Sequence, residues 1–190
     1  SNYSLTEFSV FSWMKTSYNV GTEGVWDNVN WSLVDFDRSE QYNLVITGRG
    51  RVAMSGKPSN TGGIGPSPSG EAQYLDIIGD QIVNNGNWHY VGYTYSVANQ
   101  NIVFYVDGQV DKTYSANGNM TGVGNLTRYG FIGDGSEAGS FNSSINGIFF
   151  EGSISAVHIY HRAISANEVL QNYNLDVNEA PTDIGITSTT

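Results

Sequence analysis

The sequence predicts an all-β fold, an antiparallel β-sandwich with one short helix near its C-terminal end. Three observations point there. Apolar and polar residues alternate with period two in short runs, each closed by Gly, Asn, Asp or Pro, as strands with one buried face do. Charged residues make up only 14% of the chain, against about 25% in an average soluble domain. Asn, Ser, Thr and Gly stand where Lys and Glu usually do; short polar side chains compete with helical hydrogen bonds and Gly supplies positive φ, so the exchange favours strands joined by turns.

Taken in order, strands are expected at Phe8–Lys15, Trp31–Phe36, Asn43–Ile46, Arg51–Met54, Trp88–Tyr95, Asn101–Val106, Gly130–Ile132 and Gly152–Tyr160. Asp107-Gly108 between Val106 and Gln109-Val110 signals a hairpin, because this pair takes the positive-φ turn that matches strand twist. From Gly56 to Gly70, five glycines and three prolines remove ladder donors and loosen the backbone, which predicts a long loop. Ser165 and Glu168 have capping-box spacing ahead of Val169, Leu170 and Tyr173, so a short helix should start there and dock by those three residues. A chain of 190 residues buries roughly 70% of its unfolded surface in one domain. Residues 1–177 are assigned to that domain and 178–190 to a linker or the start of a following one.

Charge narrows the partners. The formal net charge is −10 and the isoelectric point about 4.4, so the surface repels phosphate backbones and anionic lipid heads. No apolar run reaches the length of a membrane span. There is no cysteine, which excludes disulfides, thiolate zinc sites and cysteine nucleophiles and tilts the source towards bacteria. Ser1-Asn2-Tyr3-Ser4 lacks the features of a signal peptide, so the chain reads as a module whose targeting signals lie elsewhere.

Two segments resemble a known family. Asn87-Trp88-His89-Tyr90-Val91-Gly92-Tyr93-Thr94-Tyr95, leading to Tyr105-Val106-Asp107-Gly108, is similar to "W-H-x-V-x-x-T-Y" and "Y-V-D-G" of laminin G-like, concanavalin A-like jelly rolls. Glu151-Gly152-Ser153-Ile154-Ser155-Ala156-Val157-His158-Ile159-Tyr160-His161-Arg162-Ala163-Ile164-Ser165 is similar to "F-x-G-x-I-x-x-V-x-I-Y-x-R-x-L-S". The likeness runs from Phe8 to about Tyr173 and rests on core and turn positions, so it speaks for the fold more than for function. It implies a concanavalin A-like jelly roll. Relatives often open on a strand reading "F-D-G-x-D-D-Y-V", which is absent before Leu5, and many carry Asp where this chain has Ser155. The tail Glu179-Ala180-Pro181-Thr182-Asp183-Ile184 resembles the first strand of cadherin-like repeats in large bacterial surface proteins, including repeats-in-toxin (RTX) adhesins. That implies an extracellular or cell-surface setting and a role in cell adhesion.

The segment Asp35-Phe36-Asp37-Arg38-Ser39-Glu40 invites three readings. Laminarinase-type glucanases share the jelly roll and carry Glu-x-Asp-x-x-Glu, with two carboxylates about 5 Å apart on one strand face. Asp35-x-Asp37-x-x-Glu40 imitates that spacing, yet Glu40 faces away on a regular strand and Asp35 is a methylene short. Parity shared by Trp31, Leu33, Asp35 and Asp37 places Asp35 towards the solvated end of its strand, a plain strand end. In the third reading Asp37, Arg38 and Glu40 line a ligand pocket, with Arg38 paired to a carboxylate or forking onto a ligand. No catalytic residue is assigned. His89, His158 and His161 sit on strands with mismatched parity and are expected to be structural, and Asp107 only a turn residue.

The resemblance also implies calcium, which takes six to eight hard oxygens at 2.3–2.6 Å. Two loops have the composition for it. Gly133 to Asn142 is similar to the calcium loop of pentraxins, with Asp134 and Glu137 as the matching carboxylates, and Asp27-Asn28 is similar to the Asp-Asn pair that pentraxins bring from the first half of the chain. The alternative for both loops is Asx turns capping Gly-rich segments. A saccharide reader needs an aromatic ring beside directional polar groups. Trp26 in its polar loop meets that description, and Phe141, Phe149 and Phe150 beside Asn142 and Asn146 less so; Trp13, Trp31 and Trp88 are placed in the core. The function expected is a non-catalytic, calcium-dependent, lectin-like carbohydrate-binding module, contacting extracellular glycans through Trp26, Asp37, Arg38, Glu40 and Asn142. The alternatives are a protein- or peptide-binding module on the same rim and a laminarinase-type hydrolase.

Overall fold

A computed structural model describes residues 4–21, 31–36, 42–56, 75–116, 118, 120–121, 130–135 and 149–177. Twelve strands and one helix appear among them: β1 (Ser4–Leu5), β2 (Glu7–Lys15), β3 (Trp31–Phe36), β4 (Tyr42–Ile46), β5 (Arg51–Gly56), β6 (Leu75–Ile82), β7 (Trp88–Ser96), β8 (Asn101–Val106), β9 (Gln109–Ser115), β10 (Met120–Thr121), β11 (Gly130–Ile132), β12 (Ser153–Tyr160) and α1 (Ala166–Asp176). They form two five-stranded antiparallel sheets, a front sheet ordered β11-β3-β4-β5-β6 and a back sheet ordered β12-β2-β7-β8-β9. Every strand expected from the sequence is present, and the architecture is the concanavalin A-like sandwich the resemblance implied.

Period-two alternation explains how both layers close. Phe8, Val10 and Met14 of β2, Val91, Tyr93 and Tyr95 of β7 and Ile102, Phe104 and Val106 of β8 point between the sheets, where they meet Leu44, Ile46, Val52 and Met54 of the front sheet. The intervening residues Phe11, Trp13, Tyr90 and Tyr105 face outward and form a second cluster with Ile164 and Val169, so the back sheet is buried on both faces. Gly92 stands opposite Phe11 in the β2–β7 ladder. Any Cβ there would run into the Val10 carbonyl and the Phe11 ring, so only glycine lets the two strands approach with that ring between them.

The turns follow their chemistry. Asp107 and Gly108 take φ of 51° and 78° and join Val106 to Gln109 as the hairpin expected. The Asp107 carboxylate does more than the turn requires: it accepts from the Tyr90 backbone N–H at 3.0 Å and sits 2.8 Å from His89 Nδ1. Ser165 caps α1 with the full reciprocal box, and Arg162 forks onto Glu168 at 2.7 and 3.0 Å.

Three features differ from expectation. β6 is a full strand that the sequence reading left unassigned. It pairs with β5 through a register shift between Arg51 and Ala53, and its Gly79-Asp80 interruption is explained only by a partner far away in sequence. Asp111 of β9 accepts from Asp80 N at 2.9 Å and Gln81 N at 3.0 Å, and a Cβ at Gly79 would collide with that carboxylate. Ahead of β2, where the relatives' opening motif is absent, the described residues include the two-residue strand Ser4–Leu5, which pairs with Met120–Thr121. The third difference is Asp35, which is 1% exposed rather than solvated. A bulge between Ser32 and Val34 breaks the parity on which that expectation rested, so that Leu33 and Val34 both enter the core. The expected loop between Gly56 and Gly70 and the expected linker at 178–190 lie outside the described residues, Gly56 itself excepted, which ends β5.

Candidate functional site

The outer face of the back sheet is closed. Trp13 stacks on Tyr173 of α1 with ring centroids 5.6 Å apart, and Tyr90 stacks on Phe11 at 5.2 Å. Three polar ends in this apolar layer are paired: Trp13 Nε1 donates to Asp176 Oδ2 at 3.3 Å, Tyr90 Oη lies 3.1 Å from His158 Nδ1, and Asn172 Nδ2 donates to Tyr160 Oη at 3.0 Å. The buried Trp88 Nε1 has no partner among the described residues. Burial holds the Tyr90 hydroxyl well above the ordinary tyrosine range, with the Tyr160 and Asp176 charges adding to it. His158, with Nε2 3.8 Å from Asp176 Oδ2, is a tie between sheet and helix, and His89, held between Asp107 and Asn85 Oδ1, is a tie between strand and turn. Both fit the structural role expected of them. Among the described residues no three His, Asp or Glu side chains converge in the manner of a metal site.

The front sheet carries a different outer face. Because Tyr42, Leu44 and Ile46 point into the core, Asn43 and Val45 point away from it, and Ala53 and Ser55 of β5 do the same. Asp35, Asn43 and Ser55 form one polar row across three strands, all buried. Asn43 joins the row to the molecule's interior. Its Oδ1 accepts from Ser55 N at 2.8 Å, and its carbonyl accepts from Tyr93 Oη of the back sheet at 3.0 Å. Asp35, at 1% exposure, offers no carboxylate face to a polysaccharide, which removes one member of the hydrolase spacing; Asp37 and Glu40 lie outside the described residues.

At the rim where β2 ends and β12 begins, a pocket of about 490 Å³ opens, lined by Lys15, residues 16–19, Gly86 and residues 151–153. Three tethers fix its wall. Thr16 Oγ1 donates to the Glu151 carbonyl at 2.6 Å and accepts from Tyr18 N at 3.1 Å, and Asn84 Nδ2 donates to the Tyr18 carbonyl at 2.8 Å. Asn19 Oδ1 accepts from Gly21 N at 2.7 Å, an Asx turn that closes the segment. Gly152 packs with no room for a Cβ between the Lys15 carbonyl and the Phe150 ring, and this keeps β12 close against β2 at the pocket edge. Tyr18 is 36% exposed, an aromatic among Ser17, Asn19, Glu151 and Ser153. Sequence reasoning missed this site, although its signal is the one that drew attention to Trp26: an aromatic in a short polar run where alternation has stopped.

Asp134 follows Gly133, which is bonded to Phe150, the residue before Glu151 of the pocket. Gly133, with φ of 75°, donates its N–H to the Leu33 carbonyl at 3.1 Å and accepts from Phe150 N at 2.9 Å, so the start of the candidate calcium loop is fastened one residue from Glu151. Asp134 is half-buried there. Of the residues predicted for metal or ligand it alone is described; Trp26, Asp27, Asn28, Asp37, Arg38, Glu40, Glu137 and Asn142 lie outside the described residues. Trp13 is buried and Trp88 half-buried against the helix-side cluster, in line with their expected place, while the Trp31 side chain is outside the described residues.

Comparison with known proteins agrees with the geometry. A family model described as "Concanavalin A-like lectin/glucanases superfamily" matches residues 1–170. No curated protein sequence matches the chain. Among solved structures, the carbohydrate-binding module of the Ruminococcus gnavus IT-sialidase, CBM40, is similar at 16% identity and a TM-score of 0.58, over 89% of this chain and 83% of that one. The botulinum neurotoxin serotype G binding domain is similar at 17% identity and a TM-score of 0.56, over 90% of this chain and 37% of that one. A heptameric pentraxin of Limulus polyphemus is similar at 12% identity and a TM-score of 0.51, over 88% of this chain and 69% of that one. The first two are binding domains by description, and at such identities all three establish the shared fold alone.

Proposed function

The chain belongs to the concanavalin A-like lectin/glucanases superfamily, and from that premise we propose that it is a non-catalytic carbohydrate-binding module, lectin-like and calcium-dependent. One observation carries the reading. Where the back face is sealed by α1, the rim presents an open pocket in which a tyrosine ring stands beside hydroxyl, amide and charged groups. Sugars ask for that combination, since their C–H faces lie on rings and their hydroxyls need directional partners. The neighbouring sialidase module has been solved bound to α2,3 sialyllactose, and its match here extends over 83% of its length. The likeness therefore lies with a sugar-binding unit taken nearly whole.

Calcium fits the chemistry of Asp134, a hard oxygen donor whose loop is fastened through both backbone groups of Gly133. Asp27, Asn28 and Glu137 complete the donor set, and Trp26, Asp37, Arg38, Glu40 and Asn142 supply further ligand contacts. The setting is a bacterial extracellular protein, an RTX-type adhesin, with the module attaching the cell to glycans. Its acidity suits that setting: a net charge of −10 turns away nucleic acid and anionic lipid. No helix among the described residues is long and apolar enough to cross a membrane.

A glycan array probed in calcium and in EDTA, beside a thermal melt in rising calcium, tests the proposal. Glycan signal that weakens in EDTA, with a melting temperature raised by calcium, is the expected result. An empty array sinks carbohydrate recognition, and captured ligand that no free sugar competes away moves the module to peptide recognition.

A further inference from the structure

We infer that the pocket between the end of β2 and the start of β12 binds a single neutral sugar unit, stacked on Tyr18 and held without direct help from calcium. The inference rests on the carbohydrate reading above and adds its place and ligand class. About 490 Å³ lies in the range of roughly 300–1,000 Å³ usual for small-ligand sites and suits one ring rather than a chain. The lining bears one cation, Lys15, and one anion, Glu151, so its charge sums to zero. Around it the chain carries a net −10, which opposes an acidic sugar. Neutral hydroxyls are matched instead by Ser17, Asn19 and Ser153, and the Tyr18 ring is open enough to accept a C–H face.

The wall is also preformed. Thr16 ties Tyr18 to the Glu151 carbonyl, and Asn84 ties the Tyr18 carbonyl from the opposite side. A sugar entering the pocket therefore spends little of its affinity on ordering the protein. Asp134 is not among the residues lining the pocket. A calcium ion at Asp134 would steady the neighbouring loop rather than touch this sugar.

The test is an amide chemical-shift titration of the ¹⁵N-labelled full chain with galactose, glucose, N-acetylglucosamine and N-acetylneuraminic acid, each in calcium and in EDTA. A neutral sugar should move the amides of Ser17, Tyr18, Gly86, Gly152 and Ser153 in both buffers, and the acidic sugar should leave them in place. Tyr18→Ala should weaken the neutral sugar about fivefold to tenfold, the equivalent of one lost ring contact, and Tyr18→Phe should hold it within about threefold. Shifts gathered at residues 133–135 with the pocket silent would overturn the inference and leave the carbohydrate reading standing. Shifts nowhere, with any sugar, would overturn both. A pocket that answers to the acidic sugar more strongly than to the neutral ones would overturn the ligand class. The wild-type shift map needs no variant, so it decides the matter even if Tyr18→Ala fails to fold.

Discussion

Removing one oxygen atom from the core probes the strut that ties the two sheets together. Tyr93 is fully buried, and its hydroxyl crosses the sandwich to donate to the Asn43 carbonyl at 3.0 Å. Tyr93→Phe keeps the ring and its edge contacts with Phe8 and Phe104 but leaves that carbonyl short of a partner. A buried hydrogen bond is worth about 1 kcal/mol net, but removing only the donor leaves a buried acceptor unpaired, which costs about 1–3 kcal/mol instead. The expected loss is therefore about 1.5–2.5 kcal/mol. At roughly 2–4 °C per kcal/mol for a chain of this size, the melting midpoint should fall by about 3–10 °C. Reversible urea unfolding followed by circular dichroism, read at constant slope, measures the loss directly. Tyr18→Phe on the exposed rim is the control and should stay within about 0.5 kcal/mol of the parent. If Tyr93→Phe matches that control, the Asn43 junction bears no load, and the polar row on the front sheet is not held from inside.

Glu168 is the acid-sensitive point: its bonds from Arg162, and then from the Ser165 backbone and hydroxyl, hold its carboxyl down to about pH 2. A carboxyl depressed in the folded state stabilises above its unfolded value of roughly 4.3 and loses that contribution as pH falls through the folded one. Glu168→Gln should therefore flatten the stability profile between about pH 4.5 and 2, as read by melts in acid. At the other end of the scale, burial raises the Tyr42, Tyr90, Tyr93 and Tyr95 hydroxyls, Tyr95 to about 12. Groups raised above their unfolded value of roughly 10 support the fold fully below it and withdraw support as pH climbs; of the 12 tyrosines, these four should ionise at 295 nm only together with loss of near-ultraviolet dichroism. Asp111→Ala frees the β6 edge amides of Asp80 and Gln81, costing about 1–2 kcal/mol and promoting edge-to-edge self-association that light scattering will register. Asp134→Asn should abolish any calcium-induced rise in melting temperature while leaving the calcium-free melt within about 2 °C of the parent.

Most of the fold was legible because its signals are local. β2, β7 and β8 show as short runs of period-two alternation closed by turn formers, though both their faces proved buried, Asp107-Gly108 has one good turn to make, and Ser165 with Glu168 writes the start of α1 in four residues. What stayed hidden depends on partners distant in the chain. Gly79 and Asp80 break the pattern of β6 for the sake of Asp111, some thirty residues later. Asp35 looked solvated because parity was counted through a bulge that only the pairing with β4 reveals. The candidate site shows the same division. Composition singled out the loop at Asp134, whose anchoring the structure describes, but the pocket is assembled from residues 15–19, 86 and 151–153, which no local pattern links.

Saturation-transfer difference NMR of a neutral oligosaccharide with the intact chain, followed over several days, tests the central claim most directly. Carbohydrate recognition without catalysis predicts saturation transfer to the protons of one sugar ring, reversed by an excess of the free sugar, while the anomeric signals stay unchanged. Absence of transfer to any neutral saccharide would contradict binding, and growth of new reducing-end anomeric signals would contradict the non-catalytic assignment.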